Sequence, residues 1–145
     1  MTREKLKIEF GQPLNGWLPV DFRHGDFELQ FTTSNIPNNP IDQLISSIRQ
    51  ITKGIASSFW CHQEPEGYFF DFIKVGNEYK VSIYFAKRET ADKVLIYKIQ
   101  GSYEEIVMPF YRSIKNFSTI TIEELHWVKT NEKEIELLTK IVKGS

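Results

Sequence analysis

The chain has 145 residues, of which 41% are hydrophobic and 26% charged; that is enough for one domain, residues 1–145, with a core of its own, and too little for two. Eighteen basic against nineteen acidic side chains give a formal charge of -1, which lacks the basic excess of a phosphate-backbone binder and argues against nucleic acid as a partner. The single cysteine, Cys61, excludes an intramolecular disulfide, and the charged start with no long apolar run predicts a cytoplasmic chain without a signal peptide or membrane span.

The first third alternates with period two: Leu6, Ile8 and Phe10, then Leu18, Val20 and Phe22, then Phe27, Leu29 and Phe31. This reads as three strands of a meander with one wet face. His24-Gly25 is the turn candidate, and pairing across it sets Phe22 against Phe27 and Asp21 against Glu28. That carboxylate pair is repulsive, and placing Phe10 opposite Leu18 relieves it by bringing Lys7 beside Asp21.

Asn39 as N-cap and Pro40 at the first helical position open a helix. Ile41, Leu44, Ile45, Ile48 and Ile51 give it an aliphatic stripe until Gly54 stops it. Such a stripe belongs against a sheet.

Residues 55–99 read as a second meander of four strands. A Gly76-Asn77 turn sets Phe72, Phe70 and Tyr68 opposite Val81, Ile83 and Phe85; a Gln63 to Glu66 loop adds Phe59 beside Phe70 and Cys61 beside Tyr68. The longer Lys87 to Asp92 loop brings Val94 beside Phe85 and Ile96 beside Ile83. Ser102 and Glu105 form a capping-box pattern before a helix from Tyr103 to Phe117, which Pro109 should kink or divide. Residues 118–129 fit either a strand at Thr119 to Ile122 or a short helix holding His126 and Trp127. Asn131 then caps a last helix with Ile135, Leu138, Ile141 and Val142 inside. The whole is an α+β fold, a mostly antiparallel sheet of six to eight strands in two meanders with three helices packed on it.

The reverse side of the second meander carries the candidate surface. Trp60, Phe69, Tyr84 and Leu95 fall in one cross-strand row, Ser58, Asp71, Ser82 and Tyr97 in the next, and His62 lies just beyond Trp60. Side chains that join large area to a polar handle mark interfaces and ligand platforms. A covering helix, a second copy of the chain or a partner protein would each account for them. Asp71, between Phe69 and Ile73, needs a partner such as Ser58, Ser82 or Tyr97.

Chemistry-bearing patterns are sparse. Cys61 and His62 are adjacent on a strand and so point to opposite faces; Cys61 reads as a small buried hydrophobe, and three histidines on separate elements give no metal spacing. Glu64-Pro65-Glu66 is a solvated hairpin loop, and no glycine-rich phosphate loop occurs. No cofactor or catalytic residue is assigned.

From Ser34-Asn35-Ile36-Pro37 through Pro40-Ile41-Asp42 to Trp60 and Glu64-Pro65-Glu66-Gly67-Tyr68, about a third of the chain, the sequence resembles small bacterial proteins, some of them immunity proteins of polymorphic toxin systems. The resemblance implies a non-enzymatic domain that caps one cognate toxin. The alternative is a small-molecule carrier or sensor, with a cavity between the sheet and the Tyr103 to Phe117 helix. An enzyme using His62 and Asp71 would need those two side chains to meet across a cleft.

Overall fold

Each of the two meanders closes into an antiparallel sheet of its own. The computed structural model describes residues 5–36, 38–122, 127 and 129–144. The first sheet is β1 (Leu6–Phe10), β2 (Trp17–His24) and β3 (Phe27–Ser34), in that order; the second is β4 (Ser57–His62), β5 (Gly67–Val75), β6 (Glu78–Ala86) and β7 (Lys93–Gly101). Between them runs α1 (Pro40–Thr52), and after them come α2 (Tyr103–Ile106), α3 (Met108–Ser118) and α4 (Glu132–Val142).

In the first sheet the register differs from the sequence reading by two residues. The turn is Gly25-Asp26, so His24 faces Phe27, Phe22 faces Leu29 and Val20 faces Phe31, while Phe10 faces Val20. Gly25 adopts φ 59° at the first turn position, the place where a two-residue hairpin needs a residue free to take positive φ. A shift of two preserves the faces, because side chains alternate with period two. What changes is the charge pairing: Asp21 now faces Gln30, and Arg23 faces Glu28 at 3.4 Å, so attraction replaces the expected carboxylate repulsion.

The second sheet holds the predicted pairs Phe72–Val81, Phe70–Ile83, Tyr68–Phe85, Phe59–Phe70 and Cys61–Tyr68. Its last strand departs from expectation. Val94 faces Phe85 and Leu95 faces Tyr84, but Tyr97, not Ile96, faces Ile83, because a β-bulge inserts Ile96 as an extra residue. Tyr97 is thereby turned onto the inner face.

The two inner faces meet through aromatic rings. Phe27 stacks on Tyr97 at 4.0 Å, Phe22 meets Phe70 at 5.8 Å, and Phe31 lies 4.7 Å from Tyr68. β3 therefore crosses the second sheet from β7 to β5, and at its far end the Thr33 hydroxyl donates to the His62 carbonyl. Phe110 of α3 closes this core, 4.9 Å from Phe72 and 6.3 Å from Phe70.

Helix α1 begins as its sequence dictates: the Asn39 side chain accepts from the Ile41 and Asp42 amides, and the aliphatic stripe is buried. It lies along the outer edge of β4 and satisfies backbone groups there. The Ser47 hydroxyl donates to Ser58 O, the Ser57 hydroxyl donates to Ser47 O, and the Trp60 amide donates to Gln43 Oε1. The Ser102–Glu105 capping box is present, and the predicted Tyr103 to Phe117 helix is divided at Val107. Division puts Pro109 in the first turn of α3, where its missing amide costs no helical bond. The strand proposed for Thr119 to Ile122 does not form. α3 runs on to Ser118, and the Thr119 and Ile120 amides fold back onto Asn116 and Phe117 carbonyls. Trp127 is buried beside Phe117; His126 lies outside the described residues. α4, capped by Asn131, packs on α1 and α3 rather than on the reverse face of the second sheet.

Candidate functional site

Four strands carry the candidate surface, and their pairing puts Trp60, Phe69, Tyr84 and Leu95 directly opposite one another in one row. Burial falls from one end of it to the other. Trp60 is 4% exposed, Phe69 and Tyr84 are half-buried, and Leu95 is 45% exposed. Trp60 lies 4.5 Å from the Phe69 ring and 5.9 Å from the His62 ring. Its indole also lies over Gly67, where a Cβ would come within 2.8 Å of Cη2 and 2.9 Å of Cζ2. The absence of a side chain at Gly67 is what lets the largest residue of the row lie down. Trp60 therefore anchors the face, and Phe69, Tyr84 and Leu95 present it.

Sequence reasoning missed Lys93, which organises the exposed part. Its ammonium stands 4.9 Å from the Phe69 ring centre and 4.6 Å from that of Tyr84, and bonds Asp71 Oδ2 at 2.6 Å. Two ring faces and one carboxylate hold a single cation, an arrangement worth about 0.5–1 kcal/mol per cation–ring contact at a partly exposed site. The signal was available in the register. Lys93 faces Ala86, which faces Gly67, so two small neighbours leave it room to lean over the rings. Asp71 accordingly pairs with Lys93 and not with Ser58, Ser82 or Tyr97, and its Oδ1 is buried without a hydrogen-bond partner among the described residues.

Of the other two predicted site residues, Tyr97 lies elsewhere and His62 stands beside Trp60 as expected. Tyr97, on the inner face because of the bulge, stands 2.7 Å through its hydroxyl from His24 Nδ1 and also donates to the His24 carbonyl at 3.3 Å, tying β7 to β2. His62 turns its Nδ1 toward the Ile36 carbonyl at 2.7 Å; since a carbonyl only accepts, Nδ1 carries the proton. His62 and Asp71 are thus engaged with different partners, and the pairing an acid–base mechanism would need is not formed. Cys61 sits in the core, where burial pushes its thiol well above the usual range, so it is not a ready nucleophile.

No family model matches the chain, and neither does any curated protein. One solved structure is similar. It is a chain of the CdiA-CT/CdiI toxin and immunity complex from Enterobacter cloacae, 14% identical, with 80% of this chain and 99% of that chain covered at a TM-score of 0.45. At that level the likeness carries no residue role across.

The remaining concavities differ in character from the aromatic face. A groove of about 700 Å³ opens where the two sheets meet, with Phe10, Phe31 and Tyr68 among its walls and Glu9, Asp21 and Gln30 at its rim. A cleft of about 390 Å³ lies beside α2, next to His24, Glu78 and Glu105. Between α3 and the second sheet, where a carrier would need its cavity, the ring of Phe110 fills the space against Phe22, Phe70 and Phe72. No helix among the described residues is long and apolar enough to cross a membrane.

Proposed function

We propose that this chain is a non-enzymatic protein-binding domain and that its partner seats on the reverse face of the second sheet, over Phe69, Tyr84 and Leu95. The observation that carries the reading is the fall in burial along one row, from a buried Trp60 to an exposed Leu95, with the Lys93 ammonium over the two middle rings and bonded to Asp71. Rigid aromatic anchors set among a few fixed polar groups supply contact area at low entropic cost, which is what a binding hot spot needs. Immunity-type inhibition of a cognate toxin is the specific form we favour, because the residues that resemble immunity proteins include Trp60 and Gly67, which build the anchored end of this face.

The test is co-expression with toxin domains encoded beside the gene. The wild-type chain should rescue growth and co-purify with one of them. Tyr84→Ala combined with Leu95→Ser should abolish both while the chain stays folded, at a cost of about 1–2 kcal/mol because the half-buried Tyr84 ring faces Lys93. Undiminished rescue by that double variant, or failure of the wild type to bind any of them, would remove the reading.

A further inference from the structure

The proposed binding face is bounded on one side by lysines. Beyond the Trp60, Phe69, Tyr84 and Leu95 row, the next row on the same face is Ser58, Asp71, Ser82 and Lys98, and the one after it holds Ile73, Lys80 and Gln100. Lys98 belongs to this face because the bulge inserts one residue between it and Leu95, so two positions three apart in sequence project on the same side. Lys80 and Lys98 are therefore diagonal neighbours on adjacent strands, roughly 7–8 Å apart along the backbone, within one screening length at physiological salt. Neither forms an ion pair among the described residues. The carboxylates of these four strands, Asp71 and Glu78, are engaged elsewhere: Asp71 with Lys93 at 2.6 Å, and Glu78 as acceptor from the Gln100 amide at 3.0 Å. The chain as a whole carries -1, so this is a local excess of positive charge and not general basicity.

We infer that the partner seated on this face presents an acidic edge: a protein surface whose apolar part covers Phe69, Tyr84 and Leu95 and whose carboxylates meet Lys80 and Lys98. The inference rests on the binding-face reading and adds the partner's chemistry to it. Charge complementarity carries it. Two neighbouring cations with no counter-charge repel each other in the free chain, and a carboxylate placed between them relieves that repulsion. Their position fits the role, because charge at the rim of an apolar patch steers association and fixes orientation while the rings supply the contact area. Ile73, opposite Lys80 and 36% exposed, continues the apolar surface as far as the lysines. Nucleic acid fits this face less well, since a base needs an open ring to stack on. Phe69 is flanked by Trp60 at 4.5 Å and by the Lys93 ammonium at 4.9 Å, and the same ammonium stands over Tyr84.

Nuclear magnetic resonance titration of the full chain tests this with two peptides of equal length that share a Leu-Phe centre, one flanked by glutamates and the other by lysines, and with oligothymidylate as the nucleic-acid probe. The acidic peptide at millimolar concentration should move the signals of Lys80, Lys98 and Tyr84, less so as salt rises, and the basic peptide should not. Lys80→Gln with Lys98→Gln, folded by circular dichroism, should weaken binding of the acidic peptide about tenfold, and Lys80→Glu with Lys98→Glu should transfer the preference to the basic peptide. No response to the acidic peptide, an equal response to both peptides, an unchanged response in the lysine variants, or stronger shifts with oligothymidylate would each overturn the inference. Failure of the binding-face reading looks different: the lysine signals then still respond to the acidic peptide, but Tyr84→Ala with Leu95→Ser leaves its affinity unchanged.

Discussion

The outer faces of the two sheets are built on opposite plans. The first is a charge ladder: Lys7 bonds Glu9, and Arg23 bonds both Asp21 and Glu28, all exposed except the half-buried Asp21. These pairs lie in water, hold Arg23 more firmly protonated through its bond to Asp21, and add little stability. The second face is graded from buried indole to exposed leucine and holds an ion pair, Lys93 with Asp71, whose cation stands over two aromatic rings. Two sheets of one fold thus show that a wet face needs only charge, whereas rings arranged in a row and held in place need another reason.

Substitutions can break or sharpen that contrast. Trp60→Ala should be the most damaging, costing about 3–5 kcal/mol in denaturant unfolding as a buried aromatic is truncated; an unchanged midpoint would mean that the aromatic face has no anchor and differs from the ladder in composition alone. Gly67→Ala comes next at about 1–3 kcal/mol, because the added methyl meets both the indole and the Cys61 carbonyl. Smallest are the charge deletions, and here the two faces should part. Lys93→Ala leaves Asp71 without its cation and should lose about 1 kcal/mol, whereas Arg23→Ala on the solvated ladder should leave the unfolding midpoint unmoved at moderate salt. Equal effects at the two sites would erase the distinction.

How much of this could be read beforehand depended on what each turn specifies. Gly76-Asn77 has one plausible placement, and every pair it implied for β5 and β6 is present. In His24-Gly25-Asp26 the glycine can sit first or second in a two-residue turn, and the apolar alternation is blind to a slip of two, so faces came out right and partners wrong. The charges held the missing information, since only one placement puts Arg23 opposite Glu28. For the candidate site, the Trp60, Phe69, Tyr84 and Leu95 row followed from period and loop length alone. Tyr97 did not, because the bulge carries no glycine to announce it; its one trace is the run Val94-Leu95-Ile96, which breaks alternation. Lys93 was hidden for another reason. A cation over two rings depends on small residues on both the next strand, Ala86, and the one beyond, Gly67, and reading neighbours one pair at a time does not join them.

Ile96, the extra residue in β7, divides one strand into two territories. Upstream of it the side chains are given to the surroundings; downstream, Tyr97 is given to the interior, where it stacks on Phe27 and holds His24. Removing that single residue would leave length and composition almost untouched, yet it would swing the tyrosine outward and undo its contacts with Phe27 and His24. The clasp between the halves of this molecule is thus set by a count of residues along one strand, not by the identity of any one of them.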